Sequence, residues 1–273
     1  DGTFTESGVT TGMAYSESGA TRGGMGIDAG DADGDGFTDI VVGNFSQEMS
    51  ALYRGSAAGF FVDDAPQAGI GLPTLMTLAF GTLFFDYDND GFLDLLLANG
   101  HIEPEINKTQ RLQQYAQPSH LFKNDGQGNF RQMTDAAGSP LRVPLVGRGL
   151  ASADLDGDGD LDIVITQNGN AARVWRNNAR QQSWIRVQLI GTQSNRTGYG
   201  SLLKAVAGKK TWVRMFTSGR SYLSACEPVV TIGFGSIQQL DRLEIIWPSG
   251  QIQTIQHPTL NQLLKVKEVP AAT

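Results

Sequence analysis

Cysteine is almost absent from this chain: Cys226 is the only one among 273 residues. That excludes a disulfide framework within the chain, and Cys226, set in SYLSACEP, reads first as a small buried residue rather than a nucleophile. Long apolar runs are missing too. The longest, TLMTLAFGTLFF at 74–85, is far shorter than the ~20 residues of a spanning helix, so no membrane span is expected. Hydrolase and phosphate-binding signatures are missing as well: there is no GxSxG, no HExxH and no glycine-rich phosphate loop. Acidic residues vanish altogether between Asp162 and Glu227.

Glycine and aspartate, by contrast, are plentiful. The 34 glycines suit a turn-rich all-β fold, and 40% hydrophobic with 18% charged residues indicates a folded, soluble protein with a substantial core. The aspartates are concentrated in three stretches: DADGDGFTD at 31–39, DYDNDGFLD at 86–94 and DLDGDGDLD at 154–162. At ~4 Å two carboxylates on a protein surface repel by roughly 4 kcal/mol. Disorder is not the answer to that repulsion, because DIVVGN, DLLLAN and DIVITQN follow as apolar strands.

A bound cation is the simpler answer. All three stretches read D-x-D-x-D-G-x-x-D. Positions 1, 3 and 5 turn their carboxylates inward, glycine at position 6 makes the sharp turn, and the position 7 carbonyl faces the same centre. Six to eight hard oxygen ligands are the demand of Ca²⁺, whereas magnesium keeps its waters and softer metals want the His and Cys that the loops lack. These are not EF-hands, since position 12 is Val42, Leu97 or Ile165 instead of glutamate. The expected ligands are Asp31, Asp33, Asp35, Asp39 and the Phe37 carbonyl in the first loop. In the second they are Asp86, Asp88, Asp90, Asp94 and the Phe92 carbonyl. In the third they are Asp154, Asp156, Asp158, Asp162 and the carbonyl of Asp160. Three calcium ions, two charges each, would bring the formal net charge from −7 to −1, so acidity reports metal rather than partners. A single Asp/Gly turn can bind nothing; three complete copies argue for metal, with a structural role as its first reading. Affinities of about 10⁻⁴–10⁻³ M suit extracellular fluid, so an extracellular, cell-surface or periplasmic location is expected.

Each loop sits in a longer cassette. A glycine-containing strand precedes it (GGMGIDAG, LAFGTLFF, GRGLASA) and the apolar strand follows. A third strand then leads to a polar turn (LYRGSAAGFF, LFKNDGQGNF, VWRNNARQQSW). The loops start at 31, 86 and 154, spacings of 55 and 68. Four short strands per ~50–60 residues is the arithmetic of a propeller blade. The cassette resembles the FG-GAP/VCBS repeat of integrin-α-like propellers, whose loops hold calcium in this D-x-D-x-D-G-x-x-D form. ANGHIEPEINKTQRLQQYAQPSHLFKNDG and GRGLASADLDGDGDLD look like the bacterial relatives of the cartilage acidic protein family, and WIRVQLIGTQSNRTGYGS, SGRSYLS and LEIIWPSGQIQT resemble its C-terminal ASPIC/UnbV domain. Two segments depart from that pattern: GYGSLLKAV alternates less than expected, and CEPVV is less polar.

The expected fold is therefore all-β: a partial β-propeller of FG-GAP-type blades at 1–181, then a small β-sandwich at 182–273. DGTFTESGVTTG at 1–12 matches GNFRQMTDAAGS at 128–139, so the chain is expected to begin in the last part of a blade. About three and a half blades result, to be completed by missing N-terminal blades or by a partner chain. Residues 100–120 form an insertion in the second blade, where His101, Glu103, Glu105 and His120 could form a site or simply line a surface loop. The ten basic residues Arg173, Arg176, Arg180, Arg186, Arg196, Lys204, Lys209, Lys210, Arg214 and Arg220 read as solvated strand faces or as a patch for an anionic glycan or acidic protein. No nucleic-acid motif is present. Asn44, Asn107 and Asn195 open N-x-S/T sequons. The favoured function is a secreted, non-catalytic calcium-binding module for adhesion, matrix or glycan interaction. The alternative is a carbohydrate-active hydrolase or lyase, or its accessory domain, with Glu103, Glu105, Asp135 and Asp241 as spare carboxylates.

Overall fold

Strands buried on one face alternate polar and apolar residues, and the strands around the aspartate loops do not alternate. The structure, a computed structural model that describes residues 2–133, 139–179, 182–217 and 219–270, shows why. The first sheet is an antiparallel meander of β1 (Ile27–Gly30), β2 (Asp39–Val42), β3 (Ala51–Arg54) and β4 (Val62–Asp63). The second repeats it with β5 (Ala79–Phe85), β6 (Asp94–Asn99), β7 (His120–Asn124) and β8 (Phe130–Gln132). The third has β9 (Gly147–Ala153), β10 (Asp162–Gln167) and β11 (Asn170–Trp175). Each sheet packs face to face on the next, so the middle sheet is covered twice.

Side chains of a strand point alternately to its two faces. In β6, Leu95 and Leu97 therefore enter a core with Val41 and Leu52 of the first sheet. Leu96 and Ala98 enter a second core with Leu150, Ile163 and Ile165 of the third. With both faces buried, the strand reads as a continuous apolar run. The innermost strands approach so closely that a Cβ on Gly81 of β5 would lie 2.6 Å from the Leu150 Cβ of β9. This is the stacking of propeller blades.

The third blade has three strands among the described residues, where four were expected. Its fourth would fall seven residues after Arg176, as Phe61 follows Arg54 and Phe130 follows Lys123. That position is Ser183, and Ser183 opens β12 (Ser183–Ile190) of a different structure. There, β15 (Val230–Gly235), β12 and β18 (Leu263–Lys267) form one sheet, with β12 and β18 parallel. A second sheet runs in the order β14 (Lys210–Met215), β13 (Leu202–Ala207), β16 (Arg242–Ile246) and β17 (Ile252–Gln256). The two enclose Ile185, Val187, Leu203, Trp212, Phe234, Leu243, Ile245 and Trp247. Strand β13 comes from the weakly alternating LLKAVA, yet it is central to its sheet. The WPSG turn joins β16 to β17 as expected, with Gly250 at φ 87° and its N–H on the Trp247 carbonyl at 2.9 Å.

Candidate metal centres

The three aspartate loops join the first and second strands of the three blades, and they share one hydrogen-bond plan. The first aspartate accepts two backbone N–H groups of its own loop. Asp31 takes Gly34 and Gly36 at 2.8 and 3.1 Å, Asp86 takes Asp90 and Gly91 at 3.0 and 2.8 Å, and Asp154 takes Gly157 and Gly159 at 2.7 and 3.0 Å. The fifth aspartate caps the seventh N–H: Asp35 to Phe37, Asp90 to Phe92, Asp158 to Asp160. Position 6 lies at φ 90–99° (Gly36, Gly91, Gly159), a left-handed conformation open to glycine at little cost. Position 4 is left-handed as well, which sequence reading missed: Gly34 and Gly157 sit there, and Asn89 holds φ 55°. Asn89 earns its exception by bridging loops, since its Nδ2 donates to the Gly159 carbonyl and to Asp160 Oδ1 at 3.2 and 2.8 Å.

The ninth aspartate does more than close a site. Its two oxygens each accept a backbone N–H, one from the second loop residue and one from a residue at or just past the end of the third strand. Asp39 takes Ala32 and Gly55, Asp94 takes Tyr87 and Asn124, and Asp162 takes Leu155 and Asn177. All three are buried. Asn124 and Asn177 then tie the loop of their own blade to that of the preceding one. The Asn124 Nδ2 reaches the Ala32 and Leu93 carbonyls, and the Asn177 Nδ2 reaches those of Tyr87 and Leu161.

Three groups of carboxylates converge, with ligand atoms within 4.8 Å of one another: Asp31, Asp33 and Asp39; Asp86, Asp88 and Asp90; Asp154, Asp156 and Asp162. Each group could hold a metal ion. Asp35, Asp94, Asp158 and Asp160 lie outside these groups; Phe37 and Phe92 turn their side chains partly to solvent. The donors are oxygen throughout, the chemistry of a hard cation. In the second loop Asp88 Oδ1 and the fully buried Asn89 Oδ1 have no hydrogen-bond partner, the kind of deficit an ion or water removes. Burial pushes the Asp86 carboxyl up to about 7 against the opposing charge of Arg214. Burial also raises Asp31, Asp39, Asp88 and, well above the usual range, Asp94. Asp160 rises to about 6 by burial and then by the neighbouring Asp158. A divalent cation would reverse these shifts, because it favours the ionised form.

One basic residue per blade faces its own loop from the end of the third strand. Arg54 meets Asp39 at 3.1 Å, Lys123 meets Asp88 and, at 2.9 Å, Asp90, and Arg176 meets Asp156 at 2.6 Å. The acid-free stretch supplies more. Arg186 of β12 bonds Asp154 at 2.8 Å and Glu227 at 2.5 Å. Arg214 of β14 donates to the Gly91 carbonyl at 2.9 Å. Arg220 clasps Asp28 and the Phe84 carbonyl. Four of the ten basic residues thus face the propeller inside the chain. Arg173, Arg196, Lys209 and Lys210 are exposed, and Arg180 lies outside the described residues.

Among the described residues the other candidates fall in no such group. His101 is buried, with Nδ1 accepting the Glu103 N–H and the ring edge-on to Phe45. Glu105 pairs with Lys108, and Asp241 accepts the Gly208 N–H at 2.7 Å. His120 is buried in β7 against Phe122, and burial lowers it to about 4. Asp135 lies outside the described residues. Cys226 is half-buried and receives long hydrogen bonds from Ser152. Among the described residues no helix is long and apolar enough to cross a membrane.

A series of meander blades with a D-x-D-x-D-G-x-x-D loop in each, followed by a two-sheet domain seated on those loops, defines the class. Residues 31–97 and 112–165 match the FG-GAP-like repeat, the gap overlapping the 100–120 insertion, and residues 191–273 match the ASPIC and UnbV family. The chain thus carries FG-GAP-like repeats followed by an ASPIC and UnbV domain. It is homologous to cartilage acidic protein 1, being 28% identical to that of Xenopus tropicalis over 271 residues, which cover 93% of this chain and 37% of the relative. The Mus musculus and Homo sapiens proteins are 26% and 25% identical, each over 97% of this chain and 40% and 39% of their own length. The chain therefore spans about two fifths of the length of these curated relatives.

Proposed function

We propose that this chain is a non-catalytic, calcium-stabilised interaction module that works outside the cell, in adhesion or in contact with matrix or glycan. The observation that carries the reading is the repetition of one all-oxygen carboxylate centre at the same place in three blades. Calcium suits it best, because carboxylates and main-chain carbonyls in an uneven ring fit its larger, flexible shell. In this reading Asp31, Asp33, Asp39 and the Phe37 carbonyl hold the first ion, with Asp35 completing the set. Asp86, Asp88, Asp90, Asp94 and the Phe92 carbonyl hold the second. Asp154, Asp156, Asp158, Asp162 and the Asp160 carbonyl hold the third. The two domains are assigned to 1–181 and 182–273. Relatives named for cartilage support an extracellular setting.

Two features support completion of the ring by further blades or by a partner chain: Phe4, the counterpart of the buried Phe130, is 98% exposed, and β11 is an exposed edge. The exposed Lys209 and Lys210 at the β13–β14 turn offer contacts to an anionic glycan. Metal uptake is the test. Equilibrium dialysis against calcium, with bound metal counted by mass spectrometry, is expected to give three ions per chain; none retained at millimolar calcium overturns the reading.

A further inference from the structure

Two strands of the C-terminal domain carry the same triplet pattern, Trp184-Ile-Arg186 in β12 and Trp212-Val-Arg214 in β14. Each lays its indole on the position 6 glycine of a loop. A Cβ on Gly159 would lie 2.0 Å from the Trp184 ring, and one on Gly91 would lie 2.4 Å from Trp212 Nε1. Each then places its guanidinium at the same loop. Arg186 bonds Asp154 Oδ2 at 2.8 Å, and Arg214 bonds the Gly91 carbonyl at 2.9 Å with its charge acting chiefly on Asp86. The first loop has no such indole cover: a Cβ on Gly36 would meet nothing within 4 Å, and the Arg214 charge acts on its Asp31 only second to Asp86. Arg54, Lys123 and Arg176 occur in all three blades and cannot make the loops differ; Arg186 and Arg214 can.

We propose that Arg186 and Arg214 are built-in cations that weaken divalent-cation binding at loops 154–162 and 86–94, and so couple that binding antagonistically to the seat of the C-terminal domain. The proposal rests on the metal reading above. A guanidinium and a dication draw on the same carboxylate charge, so each reduces what the other gains. An orienting role would have the opposite sign, because losing a residue that holds a ligand in place costs metal affinity. Orientation is already provided, however: both oxygens of Asp154 are held by the Gly157 and Gly159 N–H groups, and those of Asp86 by Asp90 and Gly91. What the arginines add is charge. By linkage the effect is reciprocal, so the cation loosens the arginine contact as much as the arginine loosens the cation.

Calorimetric titration of the full chain with calcium tests this, comparing wild type, Arg186→Gln and Arg186→Lys. Removing the charge is expected to tighten one site about tenfold, while the lysine variant, which keeps the charge, stays near wild type. The melting temperature lost to Arg186→Gln should be smaller in calcium than in chelator, as the same linkage requires. Arg214→Gln asks the question of loop 86–94 independently, should the first variant not fold. Unchanged or weaker calcium binding in both glutamine variants overturns the coupling and leaves the metal reading intact. A wild-type chain that takes up no calcium overturns the metal reading itself, and the coupling with it.

Discussion

Asp39, Asp94 and Asp162 close the repeated sequence pattern, but their oxygens are bound to backbone N–H groups that tie loop to strand. Asp39→Ala leaves the buried Ala32 N–H and the half-buried Gly55 N–H without a partner, and takes one carboxylate from Arg54, which keeps Asp64 and the Gly128 carbonyl. An N–H left unpaired away from water costs about 1–3 kcal/mol. That destabilisation is expected in chelator as well as in calcium. Asp35→Ala, at an exposed position that caps one N–H, should lower stability only when calcium is present. Denaturant melts with and without chelator decide; equal behaviour of the two variants would remove the distinction between ninth and fifth aspartates. His120 gives a pH signature of its own. Its folded pKa of about 4 lies below the ordinary 6.5, so the unfolded chain binds its proton first as pH falls. The contribution is complete above pH 6.5 and is lost progressively down to pH 4, about 3 kcal/mol in all. The pH dependence of stability over that window should flatten by this amount in His120→Phe, measured as a difference between variant and wild-type melts. Asn44 is a quieter case: its sequon asparagine is buried, with Nδ2 on the Met49 carbonyl at 2.7 Å, so it is no glycan acceptor in the folded chain.

At the scale of elements, the loops double as docking surfaces. Gly157 and Gly159 are both left-handed, at φ 80° and 94°, but a Cβ on Gly157 would enter open space and one on Gly159 would enter the Trp184 ring. Gly157→Ala should cost about 1–2 kcal/mol for its backbone conformation alone. Gly159→Ala adds an overlap that only displacement of β12 relieves, and should cost about 3 kcal/mol or more. Urea melts of the two variants check the order; equal losses would mean that the indole gives way freely. The β13–β14 turn carries a separate expectation. Charge reversal at Lys209 and Lys210 should weaken retention on a heparin-like polymer, and salt should do so in wild type. Retention that survives both would leave the two lysines as ordinary solvated residues.

For the whole molecule, calcium and the domain contact act on one stability. A site with Kd ~10 µM in ~1 mM calcium gains about 2.7 kcal/mol by mass action, and three sites about 8 kcal/mol, against 5–15 kcal/mol for a typical domain. Chelation should therefore lower the melting temperature by many degrees. Read from sequence, the C-terminal sandwich has no loop of this kind and ought to be indifferent to chelator. Its contacts change that expectation: Trp184, Arg186, Trp212, Arg214 and Arg220 all rest on the blades. Differential scanning calorimetry is expected to show the sandwich transition moving with that of the propeller. A second transition unmoved by chelator would mean that the domains unfold independently.

The all-β class, the blade cassette, the turn at WPSG and the three loops are legible along the chain, because each is a local pattern. A strand of period two, a glycine with positive φ and a carboxylate capping an N–H a few residues away all leave marks within ten residues. Even β13 reads only as an irregularity, since Leu202 and Val206 put apolar side chains on the face opposite the core residues Leu203 and Ala205. Where long-range charge goes is set by the folded arrangement alone. Arg186, Arg214 and Arg220 look like part of a basic surface along the chain, yet each reaches a partner far away in sequence, as Arg220 reaches Asp28. Charge sign is written in composition, but the partner of a charge is set by which surfaces the fold brings within a few ångströms.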